Sequence, residues 1–280
     1  MANEYIKSPL NYVGGKYKIL PQIIPLFPDN IETFVDLFGG GCNVGINVAV
    51  KRIIYNDIIT QIVEMLNYFK SNNLDYILDQ IDTYINKYSL SQTNKEGYLE
   101  LREHYNKENR SPIVLYTLIC YAFNNQIRFN SKGEYNMPFG KDRSSFNPSL
   151  RAKFIDFVNE LHNKDILFMN NDFKKLDISK LKNGDFVYCD PPYLNTTATY
   201  NENGGWNKTE ENALLEKLEE LHSKNIKWAL SNNISINTEL ESWAKIHNFN
   251  IHYLNNTYSN CNYQKKDKQT KDLEVLVTNY

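Results

Sequence analysis

Thr33-Phe34-Val35-Asp36-Leu37-Phe38-Gly39-Gly40-Gly41 decides how this chain is to be read. Its first six residues are a β-like run that ends in three glycines. A helix-compatible stretch comes next, roughly Val44 to Val50. Arg52-Ile53-Ile54-Tyr55-Asn56-Asp57 then reads as a second strand that closes on an acid. Strand, glycine turn, helix, strand and acid is the order of a mononucleotide-binding βαβ half.

The glycine spacing narrows the ligand. It is not G-x-G-x-x-G, so a dinucleotide is disfavoured, and Gly14-Gly15-Lys16 belongs to no strict phosphate-binding loop. Glycines after a strand let a ligand approach the backbone, and Asp57 stands where acids take ribose hydroxyls. A nucleoside without pyrophosphate suits such a site, and S-adenosyl-L-methionine is one. Each piece also has a plainer reading. A triple glycine can be a tight turn, Asp57 can cap the next helix, and Asn171-Asp172-Phe173 can be an ordinary strand-to-helix turn. The combination in this order is much rarer than its members.

Further along, Phe186-Val187-Tyr188-Cys189 reads as a short buried strand leading into Asp190-Pro191-Pro192-Tyr193. Two prolines cannot extend a ladder, and they stiffen the backbone beyond the strand. In open α/β sheets ligands sit beyond the carboxyl ends of strands. A carboxylate, carbonyl oxygens and a flat ring placed there can hold a planar base by its exocyclic amine. The bland alternative is a rigid turn.

Between these motifs the pattern changes. From Ile58 to about Asn109 apolar residues such as Ile62, Met65, Leu66 and Phe69 recur at helical spacing. Pro112 opens another helix. Asn124 to Pro148 is irregular and polar, with Ser131-Lys132-Gly133-Glu134 as a hairpin turn. Asp165 to Met169, Lys227 to Ser231 and Leu273 to Thr278 are further strands. Asn255 to Asp272 is polar and lysine-rich, a candidate mobile loop. The expected fold is α/β: a parallel-sheet core at 1–59 and 163–280, with an inserted, mostly helical segment at 60–162.

Composition sets the outer bounds. Hydrophobic residues make up 41% and charged residues 23%, ordinary for a globular chain, so disorder is not the default. The net charge of -2 means that any nucleic-acid surface is local. Cys42, Cys120, Cys189 and Cys261 form no CxxC pair and the histidines no ligand spacing, so no metal and no disulfide framework are expected. The apolar run Ile113 to Phe123 is too short to cross a bilayer. A cytoplasmic setting and no membrane partner are the resulting expectations, with a monomer as the default.

These segments together resemble the Dam-like, D12-class family of DNA adenine-N6 methyltransferases. The resemblance runs through Asn11-Tyr12-Val13-Gly14-Gly15-Lys16, Asp36 to Gly41, Asn56-Asp57, Asn171-Asp172-Phe173, Asp190 to Tyr193 and Leu230-Ser231-Asn232. Phe123 to Asn130 and Gly133 to Gly140 extend it into the insert. It implies S-adenosyl-L-methionine held by Tyr12, Lys16, Phe38, Gly39, Gly40, Gly41, Asp57, Asp172 and Asp190, with Asp36 and Phe173 beside them. Tyr12 stands where many members have Trp. Asp190, Pro191, Pro192 and Tyr193 become the catalytic residues, with adenine N6 as acceptor. A nucleotide whose amine lies inside a duplex must be flipped out.

The same resemblance makes the core a Rossmann-like S-adenosyl-L-methionine-dependent methyltransferase sheet with a final antiparallel strand, and the insert a DNA-recognition domain. Arg128 to Lys153 holds six basic and two acidic residues, a local net of +4. Asn11, Asn124, Asn125, Gln126, Arg128, Asn130, Asn136, Lys141 and Arg143 are the candidate contacts to double-stranded DNA, with Lys265, Lys266, Lys268 and Lys271 as further backbone contacts. Members that read GATC commonly carry Lys where this chain has Asn11, and Gly-Leu where it has Asn125-Gln126; GATC is therefore one candidate target. A cognate restriction endonuclease is a candidate partner. Two other readings stay open: a catalytically silent DNA-binding regulator on the same fold, and a methyltransferase acting on RNA or another substrate.

Overall fold

Thr33–Asp36 (β1) is buried at every position, as a central parallel strand covered on both faces must be. Arg52–Asn56 (β2) pairs with it in parallel on one side and Phe186–Cys189 (β4) on the other. Asp165–Met169 (β3) extends the sheet beyond β2, and Lys227–Asn233 (β5) extends it beyond β4. Glu274–Thr278 (β7) enters antiparallel between β5 and Asn250–Leu254 (β6). The order is β3-β2-β1-β4-β5-β7-β6. The computed structural model describes residues 5–12, 14–194, 205–255 and 273–280. Val13, Cys261, Lys265, Lys266, Lys268 and Lys271 lie outside the described residues, as does nearly all of the proposed loop 255–272.

Strand order reverses between β1 and β4. The chain winds outward from β1 to β2 and β3, then returns to β4 on the other side. At such a reversal the flanking connections diverge and leave a crevice beyond the strand ends. Asp36 ends β1 and Asp190 follows β4, so the fold delivers both acids to that crevice.

Alternate residues of each strand face opposite sides, and the sheet has two apolar layers. Phe34, Ile53, Tyr55 and Tyr188 join a core shared with the helices Thr60–Ser71 (α2), Leu74–Lys87 (α3), Lys95–Lys107 (α4), Pro112–Tyr121 (α5) and Pro148–Asn163 (α6). Leu20–Ile23 (α1) packs into the same layer. Val35, Val187, Trp228 and Val275 join the other core with Lys208–Ser223 (α7) and Thr238–Ile246 (α8). The helices α2 to α6 all fall between β2 and β3, and their apolar residues merge with one face of the sheet. Pro112 does open α5, and every residue from Ile113 to Tyr121 is buried. The hairpin turn also forms: Gly133 N–H donates to Asn130 O at 2.8 Å and Asn130 N–H to Glu134 O at 2.9 Å.

One element differs from expectation. The helix at Val44 to Val50 is only a 3-10 turn, Gly45–Asn47. Tertiary bonds take up its carbonyls and its Asn47 side chain. Lys164 Nζ donates to Val48 O (2.7 Å) and Val50 O (3.1 Å), and Asn47 exchanges two 2.7 Å bonds with the backbone of Ile6. No helix among the described residues is long and apolar enough to cross a membrane.

Candidate active site

The glycine turn is shaped by β2. Gly39 N–H donates to Asn56 O at 2.8 Å, Gly40 N–H to Asp57 Oδ2 at 2.9 Å, and Tyr55 Oη to Gly40 O at 2.7 Å. A Cβ on Gly39 would sit 2.1 Å from the Tyr55 ring, and Gly40 has φ of +48°. These two glycines therefore serve the approach of β2 and the sharpness of the turn, where the sequence had suggested room for a ligand. At Gly41 an added Cβ makes only ordinary contacts of 3.4 Å. Gly39→Ala is expected to cost about 1–3 kcal/mol through overpacking, read as a fall in Tm. Gly41→Ala is the control and is expected to leave Tm near wild type; equal Tm values for both would contradict this assignment.

Asp57 is buried with both oxygens engaged, Oδ1 accepting from Ile59 N–H at 2.8 Å and Oδ2 from Gly40. It steadies the chain entering α2 without being its N-cap, which is Ile59. Burial raises its carboxyl, and the Ile59, Gly40 and Ile58 amides oppose the rise. Asn56 ties the neighbouring turns together: its amide donates to Leu37 O and Asn171 O, each at 3.0 Å, and accepts from Asn171 N–H at 3.1 Å. This places Asp172 and Phe173 beside the glycine turn. Asp172 accepts from Lys174 N–H at 2.9 Å and lies 3.5 Å from Lys174 Nζ.

Asp36 is deeper. Its Oδ2 accepts from Gly45 N–H at 3.2 Å. Burial pushes its carboxyl up to about 7; the Gly45 bond opposes the rise, while Asp190 and Asp57 add to it. Asp190 lies just beyond β4. Burial raises it to about 6 against the pull of Lys16, with Glu274 adding repulsion. Lys16 Nζ is 2.8 Å from Asp190 Oδ1 and 3.4 Å from Glu274 Oε1, and it donates to Gly14 O at 3.0 Å. The same ammonium lies 4.9 Å from the centre of the Tyr193 ring, a cation–π distance. Tyr193 Oη donates to Glu274 Oε1 at 2.5 Å.

Glu274 was missed by sequence reasoning. It opens β7, close to the other end of the chain from Lys16, and is fully buried. The available signal was an acid at the head of an otherwise apolar strand, where charge is retained only with a partner.

The cysteines among the described residues play no comparable part. Cys42, Cys120 and Cys189 are buried free thiols, and burial pushes each of them up, away from the nucleophilic thiolate.

The candidate DNA contacts divide. Lys141 and Arg143 are exposed. Asn11 is exposed, and its Nδ2 donates to Asn124 O at 2.7 Å, which links the N-terminal segment to the insert. Asn124 and Asn125 both take left-handed backbone, φ 54° and 52°. The Asn125 amide is spent inside the fold, donating to Ile119 O and Cys120 O at the end of α5. Asn130 is likewise occupied by its turn, accepting from Lys132 and Glu134 N–H and donating to Glu134 Oε2. Arg128 is braced on Asn136, Nε to Oδ1 at 2.7 Å and Nη2 to the backbone oxygen at 3.0 Å. Gln126 is half-buried, and its backbone oxygen accepts from Tyr135 Oη. Arg151, counted in the basic stretch, pairs with Asp82.

The crevice thus gathers Asp36, Asp57, Asp172 and Asp190 at the ends of four adjacent strands, with Lys16 at one side. Such a donor set fits a nucleoside that carries an ammonium, a sulfonium and a single carboxylate. That crevice, on a sheet ordered 3-2-1-4-5-7-6 with an antiparallel seventh strand, defines a methyltransferase fold of the S-adenosyl-L-methionine-dependent class. Residues 12–260 match the family described as D12 class N6 adenine-specific DNA methyltransferase, and the chain belongs to that family. It is 48% identical over 286 residues to the type II methyltransferase M.FokI of Planomicrobium okeanokoites, covering 99% of this chain and 43% of the relative. It is 45% identical over 285 residues to modification methylase StsI of Streptococcus sanguinis, covering 99% and 43%. Modification methylase LlaI of Lactococcus lactis subsp. lactis is 34% identical over 283 residues, covering 98% and 43%. The chain therefore spans less than half the length of these relatives.

Proposed function

We propose that this chain transfers a methyl group from S-adenosyl-L-methionine to N6 of a flipped-out adenine in a short double-stranded DNA sequence. The observation that carries the reading is Asp190, a half-buried carboxylate beyond β4, held by Lys16 and followed by a tyrosine braced on Glu274. The names of the relatives, type II methyltransferase and modification methylase, support a modification role, with a cognate restriction endonuclease as the proposed partner.

When bound, S-adenosyl-L-methionine supplies an electrophilic methyl group on a sulfonium. Adenine N6 is a weak nucleophile because its lone pair is delocalised into the ring. Asp190 and the Pro191 carbonyl accept hydrogen bonds from the amine, which favours a pyramidal nitrogen and turns its lone pair outward. Lys16 holds Asp190 Oδ1, so the amine is assigned to Oδ2. Pro192 keeps the turn rigid, and Tyr193, anchored by its hydroxyl, offers its face to the base. Alignment and preorganised acceptors supply most of the rate. Asp57 and Asp172 take the nucleoside, with Tyr12, Phe38, Phe173 and the glycine turn around it. Arg128, Lys141, Arg143 and Asn11 meet the DNA.

A silent DNA-binding regulator has no use for a carboxylate held beside a second acid by one buried lysine. Incubating the protein with labelled cofactor and duplex DNA, RNA or protein separates the readings. Label on adenine N6 of duplex DNA is expected; label only on RNA or protein, or none at all, overturns the proposal. Sequencing the modified DNA tests GATC as the target in the same experiment.

The acids also set a pH dependence. Asp36 at about 7 and Asp190 at about 6 lie above the ordinary carboxylate value of 3.8. Their contribution to stability is complete below that value and is lost as pH rises through about 6 and 7. Above pH 7 both are ionised and attract the two cationic groups of the cofactor. S-adenosyl-L-methionine should therefore raise Tm more at pH 8 than at pH 5, by about 2–4 °C for each kcal/mol of added binding. An equal or smaller shift at pH 8 counts against cofactor binding beside these acids.

A further inference from the structure

Trp206 was assigned no role by the sequence, yet it closes an aromatic cluster at the ends of β1 and β3. Its ring centre lies 5.6 Å from that of Phe38, edge to face, and 5.4 Å from that of Phe173. Phe38 and Phe173 are themselves 5.3 Å apart. Each of these phenylalanines lies close in sequence to an acid of the crevice, and Trp206 remains half-buried. The indole also lines a cavity of 360 Å³ with Leu194, the residue after Tyr193, and with Asn237. It therefore stands between the nucleoside side of the crevice and the side where the Asp190–Tyr193 turn ends.

The indole is held by a buried acid. Trp206 Nε1 donates to Glu211 Oε2 at 2.5 Å. Glu211, on α7, is 2% exposed, and its Oε1 accepts from Asn232 Nδ2 at 3.2 Å and Asn237 Nδ2 at 2.6 Å. Asn232 lies on β5, and Asn237 precedes α8. Three elements thus converge on one carboxylate, and what that carboxylate presents toward the crevice is its bond to Trp206. An acid so deep is costly unless its bonds are needed, and an apolar side chain would fill the same space.

We infer that Trp206 is a wall of the purine pocket for S-adenosyl-L-methionine, and that Glu211 is the positioning residue that fixes its indole against Phe38 and Phe173. This rests on the cofactor reading above. A planar purine gains from a preset aromatic face, because the ring need not be ordered at the moment of binding. The Asn232 and Asn237 amides hold the carboxylate so that its second oxygen is aimed at the indole.

The test is equilibrium binding of S-adenosyl-L-methionine, measured by calorimetry and by tryptophan fluorescence, on the full chain. Trp206→Phe keeps an aromatic ring but removes the N–H. Glu211→Gln keeps one acceptor, yet its NH₂ must face either the indole or an asparagine amide, donor against donor. Each variant is expected to bind about tenfold more weakly, as loss of a hydrogen bond to a charged group implies. Cofactor-induced fluorescence change is expected to vanish in Trp206→Phe, since Trp228 and Trp243 pack together 6.0 Å apart around α8. The two losses should not add in the double variant, because both break one bond. Duplex DNA affinity without cofactor should be unchanged, a readout that a general folding defect would move. Unaltered cofactor affinity in both variants overturns the inference and leaves methyl transfer standing. Failure of the wild-type chain to bind cofactor overturns both.

Discussion

Asp190→Asn should reduce methyl transfer to adenine about a thousandfold, the scale on which removing one preorganised electrostatic partner from an active site acts. The substitution keeps the shape of the side chain. It removes the negative charge that strengthens the bond to the N6 amine, and it can turn a donor where an acceptor is required. It also leaves Lys16 facing a neutral amide at the position now 2.8 Å from its nitrogen. Cofactor binding should weaken but persist, because Asp36, Asp57, Asp172 and the glycine turn are untouched. Single-turnover assays with saturating cofactor isolate the chemical step. A variant retaining a tenth or more of wild-type activity would remove Asp190 from the mechanism. The wild-type rate should fall as pH drops through about 6, the value to which burial raises Asp190, because protonation removes the acceptor.

Lys16→Met should have the largest effect on stability. Lys16 is 2% exposed and neutralises two carboxylates, Asp190 at 2.8 Å and the fully buried Glu274 at 3.4 Å. Breaking a buried ion pair from one side costs about 3–5 kcal/mol, because it strands the remaining charge. Methionine fills similar space, so the loss reports charge rather than a cavity. Without the ammonium, Asp190 should titrate above about 6, and the acid limb of activity should move to higher pH. The double variant Lys16→Met, Glu274→Gln should recover part of the stability, since one stranded carboxylate is gone. Equilibrium denaturation of the four species gives the coupling directly. A coupling near zero would mean that Glu274 serves only Tyr193.

The strand candidates at 33–38, 52–57, 165–169, 186–189 and 273–278 were legible because each is short, apolar and bounded by Gly, Pro or an acid. The acids were legible for the same reason, since strand ends are where the pattern breaks. The 44–50 segment misled because its local pattern permits a helix, while Lys164 claims its carbonyls and Ile6 ties down its Asn47 side chain, both from far away in sequence. The roles of Asn125 and Asn130 were equally hidden. Polar side chains in an irregular segment look alike as base readers or as caps until their partners are known, and here the partners are the carbonyls closing α5 and the amides of the 130–134 turn. Gly39 was read as room for a ligand, whereas what lies against it is the ring of Tyr55 on the neighbouring strand.

Local chemistry was enough to announce an α/β sheet with acids at its strand ends, since periodicity and chain-breaking residues act within a few positions. Which charges meet depended on the strand order. Placing β7 between β5 and β6 brings Glu274 to Lys16, Asp190 and Tyr193, and folding α7 back against β5 brings Glu211 to Asn232. Buried charge is tolerated only beside its partner, and that partner is chosen by topology over distances that no sequence window spans.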